Sequence, residues 1–328
     1  MKILLVSLGS IGRRHLANAR SIEPGAYLTV WRRAGSGGDV AGADRVVQDL
    51  AQALDPLPEA AIVAGPSSQH VDIGLELAKR GVHLLIEKPL SNRLEGTDDL
   101  IRECASRALV LMVGYNFRFY RPLQAMRTAL LEGGIGRVLA VRAEVGQYLP
   151  DWRPGSDYRK SASARAELGG GAVLELSHEI DYVRWLVGEV RTVSARLARV
   201  SDLEIDVEDT AEIVLDFQSG SLASIHLDMV QRVPTRTCRI AGSEGVLEWD
   251  GIGHRVRLQR AGQQGWKELW REDSSFDRNE MYLEEMRHFL DCVRNGKPPR
   301  IGGEEARRVL EIALAAKRSS REGRSVNV

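Results

Sequence analysis

Ile3-Leu4-Leu5-Val6, followed by Ser7-Leu8-Gly9-Ser10-Ile11-Gly12, constrains the fold of this chain more than any other stretch. Four consecutive apolar residues read as a strand buried on both faces, the habit of parallel sheets. Ile11, His15, Leu16 and Ala19 then recur at helical spacing. Strand, glycine turn and helix, in that order, form the context a dinucleotide-binding turn requires. Gly9 lets the backbone approach a pyrophosphate, and Gly12 lets the helix press on the strand. Ser10 and Ile11 begin the helix, whose unpaired N–H groups face the phosphates. The full pattern G-x-G-x-x-G has a glycine where this chain has Ser7. A tight turn without a ligand would show the same G-x-x-G, so the flanking strand and helix carry the inference.

A chain of 328 residues fills one or two domains. Its hydrophobic content of 43% and charged content of 27% are ordinary for a soluble globular protein. Basic and acidic residues number 45 each, so no global field favours nucleic acid or an anionic membrane. Cys104, Cys238 and Cys292 lie far apart and form neither a zinc spacing nor a disulfide framework. The expectation is a reducing, cytoplasmic setting and no metal. The apolar start is too short for a signal peptide, and no apolar run reaches membrane-spanning length.

Residues 1–120 alternate strand and helix. Strands are predicted at Lys2–Val6, Leu28–Trp31, Ala60–Ala64, His83–Ile86 and Leu109–Val113, which implies α/β architecture with a parallel, doubly wound sheet. Residues 121–328 follow another grammar. Val138–Val145, a hairpin of Thr210–Phe217 and Leu222–Met229, and strands at Arg236–Ala241, Val246–Asp250 and Val256–Gln259 predict a large, mostly antiparallel open sheet in an α+β domain. Helices near Asn279–Arg294 and Glu304–Lys317 close the chain.

Several groups carry candidate chemistry. After the second strand come Arg32 and Arg33, with no acid to hold a ribose 2′-hydroxyl. Arginines attract a 2′-phosphate, which favours NADP over NAD. Pro66, Ser67, Ser68 and His70 follow the next strand at the carboxyl edge, where ligands of open α/β sheets bind. Either serine caps the helix there, and His70 is a cofactor contact or a surface group. Glu87-Lys88-Pro89 ends a further strand. Proline keeps Lys88 extended and presents it at the same edge, suited to proton transfer. Gly169-Gly170-Gly171 precedes a helix predicted over Ala172–Val187. His178 shares its face with Leu174, Tyr182 and Trp185, and Glu175 and Asp181 flank it three residues away on either side. An imidazole beside carboxylates suits general acid–base work, although a partly buried histidine is often structural. The stretch Trp152, Arg153, Tyr158 and Arg165 has the aromatic and guanidinium composition that suits a polar, sugar-like ligand, or else is a flexible surface loop.

Together these residues resemble the Gfo/Idh/MocA oxidoreductase family across nearly the whole chain. The resemblance rests on Gly9-Ser10-Ile11-Gly12-Arg13-Arg14-His15, on Glu87-Lys88-Pro89, and on Gly114-Tyr115-Asn116-Phe117-Arg118-Phe119. It rests also on Gly169 through His178 and Asp181 to Gly188, and on Val207-Glu208-Asp209-Thr210. It implies a Rossmann domain and a substrate domain, with the site between them and Lys88 and His178 facing the reacting carbon. It also implies Glu87 beside the cofactor, substrate contacts from Tyr115, Asn116 and Arg118, and a homodimer or homotetramer through the second sheet. Many members carry an acid four residues before the histidine. Here Leu174 stands there, which leaves Glu175, Asp181 or neither to assist His178.

The leading expectation is an NAD(P)-dependent dehydrogenase acting on a sugar, sugar nucleotide or cyclitol. The alternatives are a non-catalytic ligand-binding regulator and an NAD-dependent glycoside hydrolase.

Overall fold

The computed structural model describes residues 1–32, 40–273 and 276–328. Contacts divide it into two compact units, residues 1–116 with 278–307, and residues 117–277 with 308–328.

The first run comprises β1 (Lys2–Val6), α1 (Ser10–Ile22), β2 (Tyr27–Trp31), β3 (Arg45–Val47), α2 (Leu50–Ala53), β4 (Ala60–Val63), α3 (His70–Ala78), β5 (His83–Glu87), α4 (Thr97–Ser106) and β6 (Leu111–Gly114). Its six strands are all parallel, in the order β3-β2-β1-β4-β5-β6. Ala60–Val63 and Leu84–Ile86 are buried throughout, as strands in a sheet covered on both faces must be. Strand order reverses between β1 and β4, and the ligand crevice of such sheets opens outside the carboxyl ends at that point. Sequence reading missed β3, in which only Val47 is buried.

The second run comprises α5 (Arg121–Leu131), β7 (Val138–Gly146), α6 (Ala172–Glu175), α7 (His178–Val187), β8 (Val190–Ala198), β9 (Thr210–Phe217), β10 (Leu222–Asp228), β11 (Thr235–Gly242), β12 (Gly245–Asp250), β13 (Arg255–Arg260) and β14 (Lys267–Arg271). Ala211, Ile213, Leu215 and Phe217 of β9 point to the core while Glu212 and Val214 are exposed, a clean period of two. The helices α6 and α7 cover the buried face over β7, β9 and β10.

The chain closes with α8 (Glu280–Asn295), α9 (Gly303–Glu322) and β15 (Val326–Asn327). The second sheet has nine strands, ordered β14-β13-β12-β11-β7-β10-β9-β8-β15. Only the β7–β10 pair is parallel, so the expected large, mostly antiparallel sheet is present.

The first crossing between units falls at 116–117, near the expected 120. The chain then returns to the first unit, because α8 buries Met281, Met286, Phe289 and Leu290 there and packs on α1. That return was not anticipated from the sequence. No helix among the described residues is long and apolar enough to cross a membrane.

Candidate active site

The glycine turn explains its own departure from the expected pattern. Ser7 has φ +75°, the left-handed conformation that the missing glycine would adopt freely. Its N–H donates to Trp31 O at 2.8 Å, which ties β1 to β2 at the carboxyl edge. Gly12 lies so close to Ser7 that a Cβ there would collide with the Ser7 carbonyl oxygen. A Cβ on Gly9, by contrast, would meet nothing within 4 Å. No side chain caps α1, and no acid stands in its first turn. The helix start therefore offers unpaired N–H groups beside open space, a fit for a dinucleotide pyrophosphate. Arg32, half-buried, follows β2, and its backbone N–H donates to Val47 O. Arg33 lies outside the described residues.

Behind this edge Glu87 is buried, with Oε1 hydrogen-bonded to His15 Nε2 at 2.6 Å and Oε2 accepting the Lys88 backbone N–H at 3.1 Å. Burial works to raise its carboxyl, but the His15 bond and the charges of His15 and Lys88 hold it below the ordinary carboxylate value. His70 is no surface group. Its nitrogens lie 2.9 Å from Pro89 O and 2.9 Å from Gly65 O, so it clips the Pro66–Ser67 turn to the segment after Lys88. Desolvation lowers its pKa, while the two carbonyls and the Glu87 charge work in the other direction. Lys88 itself is half-buried at the end of β5, on the edge that bears the Ser7–Gly12 turn. Ser67, Tyr115 and Asn116 are buried in the same unit.

In the second unit the helix expected over Ala172–Val187 is broken. It ends at Glu175, passes through Leu176 (φ −102°, ψ 26°) and restarts at His178. His178 thus opens a helix, and Glu175 does not lie one turn below it on a common face. The glycines ahead set where the first of these two pieces begins. A Cβ on Gly170 would collide with the carbonyls of Ala162 and Ser163, and Gly171 has φ +105° against the Glu208 carboxylate. Ala172 N–H donates to Glu208 O, which fixes where α6 begins.

The His178 ring stacks on Phe117, with centroids 4.7 Å apart and planes at 24°. Phe117 also carries the Arg236 guanidinium over its ring at 4.5 Å, and Arg236 pairs with the buried Glu179. Sequence reading missed this wall, since no spacing joins Phe117, Glu179 and Arg236.

Asp181 and Arg118 were expected in catalysis and in substrate binding. The structure pairs them with each other. Arg118 Nε and Nη2 donate to the Asp181 carboxylate at 2.7–3.1 Å, with side chains 4% and 0% exposed. This buried pair ties α7 to the segment after Asn116.

The predicted ligand loop is a series of short turns. Trp152 Nε1 donates to Gln147 O, Tyr158 accepts the Glu204 N–H, and Arg165 Nε donates to Arg159 O. Arg153 is exposed, while Trp152, Tyr158, Arg165 and Glu175 are half-buried.

Comparison with known proteins adds two family matches. Residues 1–115 match the model described as an oxidoreductase family's NAD-binding Rossmann fold, and residues 127–328 match its C-terminal alpha/beta domain. The chain is 29% identical to myo-inositol 2-dehydrogenase of Thermotoga maritima, over 100% of this chain and 98% of that protein. It is 26% identical to scyllo-inositol 2-dehydrogenase (NAD(+)) of Bacillus subtilis, over 100% and 96%. Among solved structures, levoglucosan dehydrogenase in complex with NADH and levoglucosan superimposes with a TM-score of 0.87 at 21% identity, covering 100% of this chain and 99% of that one. That last likeness is one of fold.

Proposed function

The chain belongs to the Gfo/Idh/MocA oxidoreductase family, and on that premise we propose that it transfers a hydride between a nicotinamide cofactor and a carbinol or carbonyl carbon of a sugar, sugar nucleotide or cyclitol. The observation that carries the reading is Lys88, set at the end of β5 on the edge that bears the Ser7–Gly12 turn. Its whole-length relatives named above are inositol dehydrogenases.

The nicotinamide, when bound, takes or gives the hydride. The chain's own residues do the rest. The N–H groups at the start of α1 bind the pyrophosphate, and Gly9 leaves room for it. Lys88, as the amine, takes the proton from the substrate hydroxyl as the carbon–hydrogen bond breaks, and returns it in the reverse direction. His178 is the second candidate for that proton. Its stack on Phe117 fixes the ring plane. Trp152, Arg153, Tyr158 and Arg165, with Glu175, are the groups assigned to sugar recognition. Tyr115 and Asn116, buried in the first unit, are assigned to the same task.

Arg32, with Arg33 beside it in sequence, favours NADP(H) by attracting the 2′-phosphate. Arg32→Ala should weaken NADP+ binding by roughly tenfold to a hundredfold, the scale of one charge-assisted contact, and leave NAD+ binding near its original value. Equal affinities in the parent, unchanged by substitution, would return the assignment to NAD.

The three cysteines are buried and free, which suits a reducing cytoplasm. The outer face of the nine-stranded sheet exposes Val214 and Leu222 and is assigned to a homodimer or homotetramer contact. Light scattering that gives a monomer mass would remove that assignment.

A screen of inositols, sugars and sugar nucleotides with both cofactors, followed by the absorbance of the reduced nicotinamide, tests the activity. Substrate-dependent reduction supports it. Binding without turnover would favour a regulatory protein, and sugar release without net reduction would favour glycoside hydrolysis.

A further inference from the structure

Arg236 stands on β11 in phase with Cys238 and Ile240, both 0% exposed, so the strand's period of two sends an arginine to the covered face of the nine-stranded sheet. There it meets the buried Glu179. Arg236 Nε and Nη2 donate to the two carboxylate oxygens at 2.8 and 3.0 Å. The stem of the arginine is confined as well. Gly251 N–H donates to Arg236 O at 2.7 Å, and a Cβ on Gly251 would lie 3.1 Å from Arg236 Cγ. The guanidinium lies over the Phe117 ring at 4.5 Å, and Phe117 stacks on the half-buried His178 at 4.7 Å. Trp249 stands edge-on to Phe117 at 5.9 Å.

These contacts close on themselves. Glu179 follows His178 in the first turn of α7. The path from His178 therefore runs to Glu179, to Arg236, to Phe117 and back to the His178 ring, all within the second unit. The turn that carries the imidazole also anchors the guanidinium, and the guanidinium covers the ring on which the imidazole lies. Stability does not explain the pair, because apolar side chains of similar volume in place of a buried ion pair are often neutral or stabilising. Orientation does. The last torsion of a histidine is broad, so its ring plane is set by its neighbours. A flat guanidinium held by two hydrogen bonds fixes an aromatic face in a way that an ammonium group cannot.

We propose that Arg236 is a positioning residue for His178, acting through Phe117 and anchored by Glu179. The inference rests on the proton-handling role of His178 given above.

The test removes the pair without stranding a charge. Glu179→Met and Arg236→Met, made together, should fold and melt near the parent. This pair variant should nevertheless lose about tenfold or more in kcat, the scale of a misplaced reacting group, with the cofactor KM little changed. Phe117→Leu keeps an apolar side chain but offers no ring, and should lose kcat to at least the same extent. All three substitutions together should cost no more kcat than Phe117→Leu alone, because Arg236 acts through that ring. Arg236→Lys keeps a cation for Glu179 without the flat group, so it should fold and also lose kcat. Proton spectra of histidine-labelled protein supply a readout apart from turnover. The His178 ring signals, identified by their absence from His178→Asn, should lie upfield under the Phe117 ring current and should move in the pair variant. Parental kcat in the pair variant would overturn the proposal, as would parental kcat in Arg236→Lys if the pair variant does not fold. So would unmoved His178 signals, or a loss from the pair that adds in full to that of Phe117→Leu. The unsubstituted protein and His178→Asn are assayed alongside. An unsubstituted protein without turnover, or full turnover in His178→Asn, removes the reading beneath the proposal. An active protein that needs His178 but not Arg236 removes the proposal alone.

Discussion

Asp181 shows how burial redistributes roles among residues. A carboxylate one helical turn from His178 looks like its assistant in the sequence, but Arg118 claims both its oxygens. Removing one member of a buried pair leaves the other charge stranded, at a cost of about 3–5 kcal/mol. Asp181→Asn should therefore lower the melting temperature markedly, while kcat per folded molecule holds. A variant that melts like the parent yet does not turn over would return Asp181 to catalysis. His226 offers a test on pH. It lies between Glu212 and Asp228, and the Asp228 bond, opposed by burial and helped by Glu212, raises its pKa from 6.5 to about 9. A raised folded pKa means the imidazolium is favoured in the native state. The stability it contributes is full below pH 6.5 and is lost as pH rises through about 9. The melting temperature should fall over that window in the parent and less so in His226→Asn. Parallel curves for the two proteins would contradict the assignment.

Among the elements, the β1–α1 turn has the sharpest local requirement. Gly12→Ala should disrupt the turn and abolish cofactor binding, since its Cβ would strike the Ser7 carbonyl. Ser7→Gly should leave cofactor affinity intact and raise stability slightly, by up to about 1–2 kcal/mol, because a non-glycine residue there bears left-handed strain. Calorimetry of both variants, with and without cofactor, checks this. The same turn shows what could be read in advance. Period and composition revealed β1, β4, β5, β7, β9 and β10, because each buries a continuous or alternating apolar set. They did not reveal β3, with one buried residue, β8 and β14, whose burial does not alternate cleanly, or β15, with only two residues. Nor did they reveal the break between α6 and α7. Apolar periodicity continues across Leu176 and Ser177, so the local pattern does not mark the interruption. The place of Lys88 at a strand end was legible, because the proline after it marks that end locally. The inward turn of Glu87 and the clip made by His70 were not, because their partners are His15 in one case and two main-chain oxygens in the other.

At the scale of the whole molecule, a parallel six-stranded sheet supplies a cofactor edge, and a nine-stranded sheet carries the Phe117–His178 wall. The family match spans both. The central claim is that Lys88 handles the proton while a hydride passes between nicotinamide and a sugar or cyclitol carbon. The most direct test is to compare the parent and Lys88→Ala in steady-state reduction of NAD+ and NADP+ with whichever inositol or sugar the screen selects. Cofactor titration by fluorescence is run on both. The account predicts a loss in kcat of about 10²-fold or more, the usual share of general acid–base catalysis, with cofactor affinity changed far less. Near-parental turnover in Lys88→Ala would contradict it.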